Sequence, residues 1–205
     1  MVIPPHRSVF SRSAFSAASG GFTLVEILLA VVIMAIVTAL AIPRLNLDGY
    51  KVSSAVRGVT AALSYSQRLA VSLQHDVRVS FDSAGNRLRV HEDLDNDGVI
   101  DASERVTHTN LGEGVIFAKG TASTITYSDG TGGGVTFNFT RTCGGLPCII
   151  FRRDGSASEN GGFYLNTVKS VAEGRTDHVR AGELIRSSGR VIWYSYATGT
   201  WTRGN

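Results

Sequence analysis

From Phe22 to Ile42 the chain runs 21 residues with a single charge, Glu26. About 20 apolar residues cross a bilayer as a helix, so the pattern predicts a transmembrane helix over 22–42. A carboxylate at mid-helix costs about 2.5–3.5 kcal/mol on insertion scales and usually marks function. Glu26 sits near the end of the run, where the cost is smaller, but it still needs a partner. Beyond Pro43 the apolar positions Val52, Val56, Val59, Leu63, Ala70 and Leu73 recur mostly at three- or four-residue spacing. That period predicts an amphipathic helix. Pro43 removes a backbone donor, so it either kinks one helix or begins a second, and Gly49 and Gly58 weaken it further. An unbroken helix from Phe22 to Leu73 would be roughly 78 Å long.

From Asp76 the period changes to two. Val77, Val79 and Phe81 alternate with polar residues, and Ser83-Ala84-Gly85-Asn86 turns the chain into Leu88 and Val90. This is a hairpin pattern. Further strand-like runs cover 115–118, 124–127, 135–139, 149–151, 163–165 and 191–196, separated by Gly-rich or Ser/Asn-rich stretches. The expectation is an α+β chain: a long N-terminal helix over 22–74, then an antiparallel β domain of two packed sheets over 75–205. The sequence shows no internal repeat.

The apolar run opens with Gly21-Phe22-Thr23-Leu24-Val25-Glu26. A secretory signal peptide has an apolar core of 7–15 residues with small residues after it. Here Ser19-Gly20-Gly21 precede the core, and the core is too long. The segment resembles the prepilin signal of type IV pilins and type II secretion pseudopilins. The resemblance implies that a membrane prepilin peptidase cuts after Gly21, making residues 1–21 a leader, and methylates the new amine of Phe22. It also implies that Glu26 pairs with the free amine of a neighbouring subunit during assembly. Pro43 lies where pilin helices often carry a proline. One departure is that many prepilins have Lys or Arg just before the glycine, whereas here the nearest base is Arg12.

The leader holds Arg7 and Arg12 and no acid, and positive flanks stay cytoplasmic. The rest of the chain is therefore expected on the far side of the membrane, anchored by one span; the resemblance implies that this is the periplasmic side of a bacterial inner membrane. Losing the leader lowers the formal charge from +3 to +1, because only two arginines go. A nearly neutral mature chain argues against bulk attraction to nucleic acid.

Size, β-rich content and Gly189-Arg190-Val191 before a terminal strand resemble the GspH/FimT family of minor pseudopilins and pilins. That resemblance implies a structural subunit near the tip of a short periplasmic pseudopilus, with other major and minor pseudopilins as partners. Its alternative is a minor pilin of a type IV pilus that captures DNA. The family's DNA-binding tail resembles Gly-Arg-x-Arg, and Gly189-Arg190-Val191-Ile192 lacks the second arginine. Arg152, Arg153, Lys169, Arg175, Arg180, Arg186, Arg190 and Arg203 stand against five acids, a local sum of +3. Trp193, Tyr194, Tyr196 and Trp201 could stack on bases, but their placement reads more as strand and core packing. DNA is therefore not the expected partner.

A second motif spans Asp93 to Glu104: Asp-Leu-Asp-Asn-Asp-Gly-Val-Ile-Asp-Ala-Ser-Glu. It matches the twelve-residue calcium loop, with acids at positions 1, 3, 5, 9 and 12 and glycine at 6. Asp93, Asp95 and Asp97 would give side-chain oxygens, Val99 its carbonyl, Asp101 a direct or water-bridged oxygen, and Glu104 two oxygens. The other reading is a solvated acidic turn between strands, since Asp, Asn and Gly favour turns locally. Strand-like flanks, Leu88–His91 and Arg105–Thr109, distinguish this stretch from a helix-loop-helix hand. Both readings stand at this point.

Cys143 and Cys148 enclose Gly-Gly-Leu-Pro. In an oxidising periplasm a structural disulfide is expected. A metal site would want more ligands nearby, and a redox pair would be Cys-x-x-Cys before a helix. No phosphate loop, nucleophile elbow or His-x-x-x-His appears, so catalysis is not expected. His91 and His108 flank the acidic loop and are expected to face each other across a hairpin.

Overall fold

The computed structural model describes residues 21–41, 47–132, 134 and 136–204. Contacts divide the chain into two units, residues 1–45 and 46–205.

In the first unit α1 covers Leu24–Ala41, 18 residues with Glu26 in its first turn. Its apolar side chains are exposed around the helix, from Leu24 and Val25 through Leu28, Val31 and Met34 to Val37. Such a helix has no polar face to give to water, so it calls for lipid or other apolar helices. Among the described residues no helix is long and apolar enough to cross a membrane. At 1.5 Å per residue α1 is about 27 Å long, against a hydrocarbon core of about 30 Å. The last residue of the expected span, Ile42, and Pro43 lie outside the described residues.

In the second unit α2 covers Asp48–Leu73. Of the residues between α1 and α2, 42–46 lie outside the described residues. The buried stripe of α2 is Val52, Ala55, Val56, Val59, Leu63, Ser66 and Ala70, which follows the predicted period. Leu73 departs from it and is 44 % exposed. The helix ends there, because Gln74 takes a left-handed conformation (φ 59°) and its Nε2 donates to the Val71 carbonyl at 2.6 Å.

Among the described residues ten strands follow: β1 Asp76–Asp82, β2 Arg87–Asp93, β3 Arg105–Asn110, β4 Val115–Ile116, β5 Thr142–Cys143, β6 Leu146–Phe151, β7 Gly161–Thr167, β8 Arg180–Ile185, β9 Arg190–Ala197 and β10 Thr200–Arg203, with a short α3, Val168–Ala172, between β7 and β8. They form two five-stranded sheets, ordered β3-β2-β1-β6-β5 and β10-β9-β8-β7-β4. Every pairing is antiparallel. One core joins α2 to both sheets: Val56, Val59 and Leu63 cluster with Val79, Phe81 and Ile149 of the first sheet and Phe163, Leu165 and Leu184 of the second. Phe81 anchors it, with its ring 4.8 Å from Phe139, 5.5 Å from Phe137 and 5.6 Å from Phe163. A second cluster, including Ile125, Tyr164, Val179 and Tyr196, explains why β7 is buried along its whole length.

The β1–β2 hairpin, β3, β6, β7 and β9 lie on predicted runs. The run 124–127 contributes only a bridge from Thr126 to Gly132. Over 135–139, Phe137 bridges Phe163 and the Asn138 amide donates to Gly162 O at 2.9 Å, while Val135 lies outside the described residues. The sequence pattern missed β8, whose period Gly182 and Glu183 interrupt. A β-carbon on Gly182 would collide with the Phe163 ring, so only glycine fits there. Glu183 is 3 % exposed because it is fully partnered: the Ser128 amide donates to it at 2.8 Å, the Ser128 hydroxyl donates to the same oxygen, and the Tyr194 hydroxyl donates at 2.6 Å. The expected His91–His108 pair is not formed, since His91 registers with Val106 and His108 with Arg89.

Candidate functional site

Four residues at the head of α1 carry the first candidate site. Thr23 precedes the helix, and its Oγ1 accepts from the Glu26 amide at 3.2 Å. The amides of Glu26 and Ile27 also reach the Thr23 carbonyl, at 3.1 and 3.2 Å. Thr23 is therefore the N-cap, a role not read from the sequence although Thr-x-x-Glu is the spacing of a capping box. Only half of that box is closed, because the Glu26 side chain makes no hydrogen bond or ion pair among the described residues. Phe22 is 78 % exposed, and a β-carbon at Gly21 would meet nothing within 4 Å. The Gly21–Phe22 bond is thus sterically open, and the one carboxylate of the apolar run is unspent.

The second candidate is the acidic loop after β2. Carboxylate oxygens of Asp93, Asp95 and Asp97 lie within 4.8 Å of one another, so these are the residues that could hold a metal. The loop is wound on its own carboxylates: Asp93 Oδ1 accepts from the Gly98 amide at 3.3 Å, Asp95 Oδ1 from the Asp97 amide at 3.1 Å, and Asp97 Oδ1 from the Val99 amide at 2.6 Å. Buried Asp93 is paired with the Arg78 guanidinium through its other oxygen. Asp101 accepts from the hydroxyl and amide of Ser103, which hold its carboxyl below the usual range.

Glu104 stands apart from the expected ligand set. Its Oε2 is 2.5 Å from His91 Nε2, and its Oε1 accepts from the Leu94 amide at 2.8 Å. The His91 contact, first among several, holds the Glu104 carboxyl below its usual range. Both oxygens of the expected bidentate ligand thus have protein partners, and His91, the partner of Oε2, comes from across the hairpin, where no local spacing announces it.

Cys143 and Cys148 are joined in a disulfide, Cα–Cα 5.6 Å, across the β5–β6 turn. Gly144 and Gly145 both take positive φ, 57° and 77°, which that turn requires.

Of the C-terminal aromatics and cations, Trp201, Trp193 and Arg175 are engaged within the fold. Trp201 packs on Tyr196 and Tyr164, 4.9 and 5.8 Å between ring centroids, and its Nε1 donates to the Ser123 carbonyl at 3.1 Å. Trp193 lies under Arg57, 5.8 Å from the guanidinium carbon. Arg175 pairs with Asp48 at 2.7 Å and with Glu173 at 2.8 Å.

Residues 17–42 match the prokaryotic N-terminal methylation motif. The segment that carries Gly21, Phe22 and Glu26 is thus type IV pilin-like, set before an α+β unit of antiparallel sheets. The minor pseudopilin EpsH from the type 2 secretion system of Vibrio cholerae is a similar solved structure, at 11 % identity over 75 % of this chain and 96 % of that one, with a TM-score of 0.40.

Proposed function

We propose that this chain is a minor pseudopilin of a type II protein secretion system, a structural subunit at or near the tip of the periplasmic pseudopilus rather than an enzyme. The observation that supports it most is the methylation segment at 17–42, whose Glu26 carboxylate is unpartnered on an exposed apolar helix. On this reading the prepilin peptidase removes residues 1–21 and methylates Phe22. Residues 22–42 then anchor the chain in the inner membrane, and the β-rich residues 75–205 fold in the periplasm, where the Cys143–Cys148 disulfide is at home.

Assembly follows from charge. Cleavage leaves a positive amine on Phe22, four residues before Glu26. In an apolar medium opposite charges attract far more strongly than in water. A neighbouring subunit offset along the axis brings its amine to Glu26, the apolar helices bundle, and head-to-tail contacts that do not close extend a helical filament. The acidic loop adds a calcium reading at Asp93, Asp95 and Asp97, in which Glu104 would exchange His91 for the ion.

The same signal serves type IV pili, and one experiment separates the two machines. The gene is deleted and complemented with wild type or Glu26→Ala, and exported enzyme is measured in the culture supernatant. Export lost in the deletion and unrescued by Glu26→Ala is the expected result. Normal export would move the chain to a FimT-like minor pilin, with DNA uptake and pilus number as the next readings.

A further inference from the structure

The outer face of the first sheet is polar, because Val77, Val79, Phe81, Leu88 and Val90 all point into the core. Register sets Arg78 opposite His91 and Ser80 opposite Arg89 on that face. Two loops fold over it, the acidic loop and the disulfide turn. Between them lies a cavity of about 300 Å³, floored by Ser80, Arg89 and His91, with Val99 and Ile100 on one wall and Gly144 on the other.

Each neighbouring base on β1 and β2 has an acid except Arg89. Arg78 holds Asp93, Arg87 holds Asp82 at 2.9 Å, and His91 holds Glu104 at 2.5 Å. Arg89 meets no carboxylate among the described residues. Its Nη2 donates to the Cys143 carbonyl at 3.1 Å, while its Nε is buried with no acceptor. Guanidinium stays charged at any working pH and offers five donors in a fixed fork. A buried donor left unmet is costly, and a charged one more so.

We propose that this cavity binds a carboxylate carried on an aliphatic stretch of peptide, with Arg89 as its anchor. The fork matches a carboxylate two bonds at a time. Val99 and Ile100, 61 % and 44 % exposed, give the aliphatic part an apolar wall. The two innermost acids of the loop are already engaged by Arg78 and His91, so a single incoming carboxylate meets Arg89. The remaining acids, Asp95, Asp97 and Asp101, are exposed and repel polyanions, which selects against nucleic acid and anionic lipid surfaces. That a neighbouring subunit supplies the carboxylate rests on the filament reading above; the binding does not.

The test uses the full chain in nonionic detergent, labelled with ¹⁵N-arginine, and follows the Arg89 Nε–H resonance, assigned by its loss in Arg89→Lys. Three probes are titrated: acetyl-alanyl-valine with a free carboxyl end, acetyl-glutamyl-valinamide, and acetyl-alanyl-valinamide. A saturable shift with the first identifies a chain terminus, and with the second a side chain; either supports the site, provided the neutral third probe gives none. Arg89→Lys keeps the charge but loses the fork, and weakens binding of the acidic probe, read for this variant by isothermal titration calorimetry, by about tenfold or more. Val99→Asp, at an exposed wall position away from the core, does the same with an unchanged melting temperature and serves if Arg89→Lys misfolds. No shift with any probe, an equal shift with the neutral one, or undiminished binding in Val99→Asp would overturn the proposal while leaving filament assembly untouched.

Discussion

The Glu26 amide donates to Thr23 Oγ1 at 3.2 Å, so the Thr23 side chain caps α1 and the Glu26 carboxylate stays available. Glu26→Ala therefore spares leader cleavage, because the cap and the Gly21–Phe22 bond are untouched, but lowers incorporation beside neighbouring subunits. Cysteine crosslinking to neighbours reads this out, and unchanged crosslinking would count against the pairing. Thr23→Val keeps the carboxylate and loses the cap, about 1 kcal/mol of helix stability, so its effect on incorporation is the smaller of the two.

The disulfide closes a short ring at the β5–β6 turn, and Cys148 is fully buried. The chain-entropy model assigns so small a ring about 2 kcal/mol. Reduction, or Cys143→Ser with Cys148→Ser, should lower the urea midpoint by a matching amount. Mass spectrometry of periplasmic material is expected to show no free thiols, and two would reject the pairing in the cell.

Calcium is expected to raise the melting temperature in a titratable way, since an ion among Asp93, Asp95 and Asp97 offsets their mutual repulsion. Chelation reverses the rise, and Asp95→Asn weakens it. A melting temperature indifferent to millimolar calcium would leave the stretch as a turn held by its own hydrogen bonds.

Acid weakens the β domain through several carboxylates whose folded-state pKa is depressed. Asp82 is held down by the Gly85 amide first and then by Arg87, Asp129 by the Thr131 hydroxyl, and Asp154 by the Ser156 hydroxyl. A depressed group contributes stability above its unfolded value, about 4, and loses it as pH falls through the lower folded value. The urea midpoint should thus be level from neutral pH to about 5, then decline below about 4. Asp82→Asn flattens that decline, and a midpoint independent of pH below 4 would contradict the assignment.

Much of this architecture is written locally. Val52, Val56, Val59 and Leu63 betray α2 because one face meets both sheets, and Val77, Val79 and Phe81 betray β1 because its other face is polar. The strand β8 is hidden because Glu183 is satisfied by Ser128, far off in sequence, and by Tyr194 of the next strand, so its burial leaves no apolar signature. Two hydrophobic faces bury β7, but only its middle is apolar enough to show. At the candidate sites, Gly21, Phe22, Glu26 and the aspartates of the acidic loop were readable as motifs. The diversion of Glu104 to His91 and the unmet Nε of Arg89 were not, because each depends on which residue a neighbouring strand or turn sets opposite.

The intact mass of the chain extracted from membranes tests the central claim most directly. Pilin-type processing predicts a 184-residue chain beginning at Phe22, heavier by one methyl group on its amine. A chain that keeps residues 1–21, or one cut elsewhere with an unmodified amine, would contradict it.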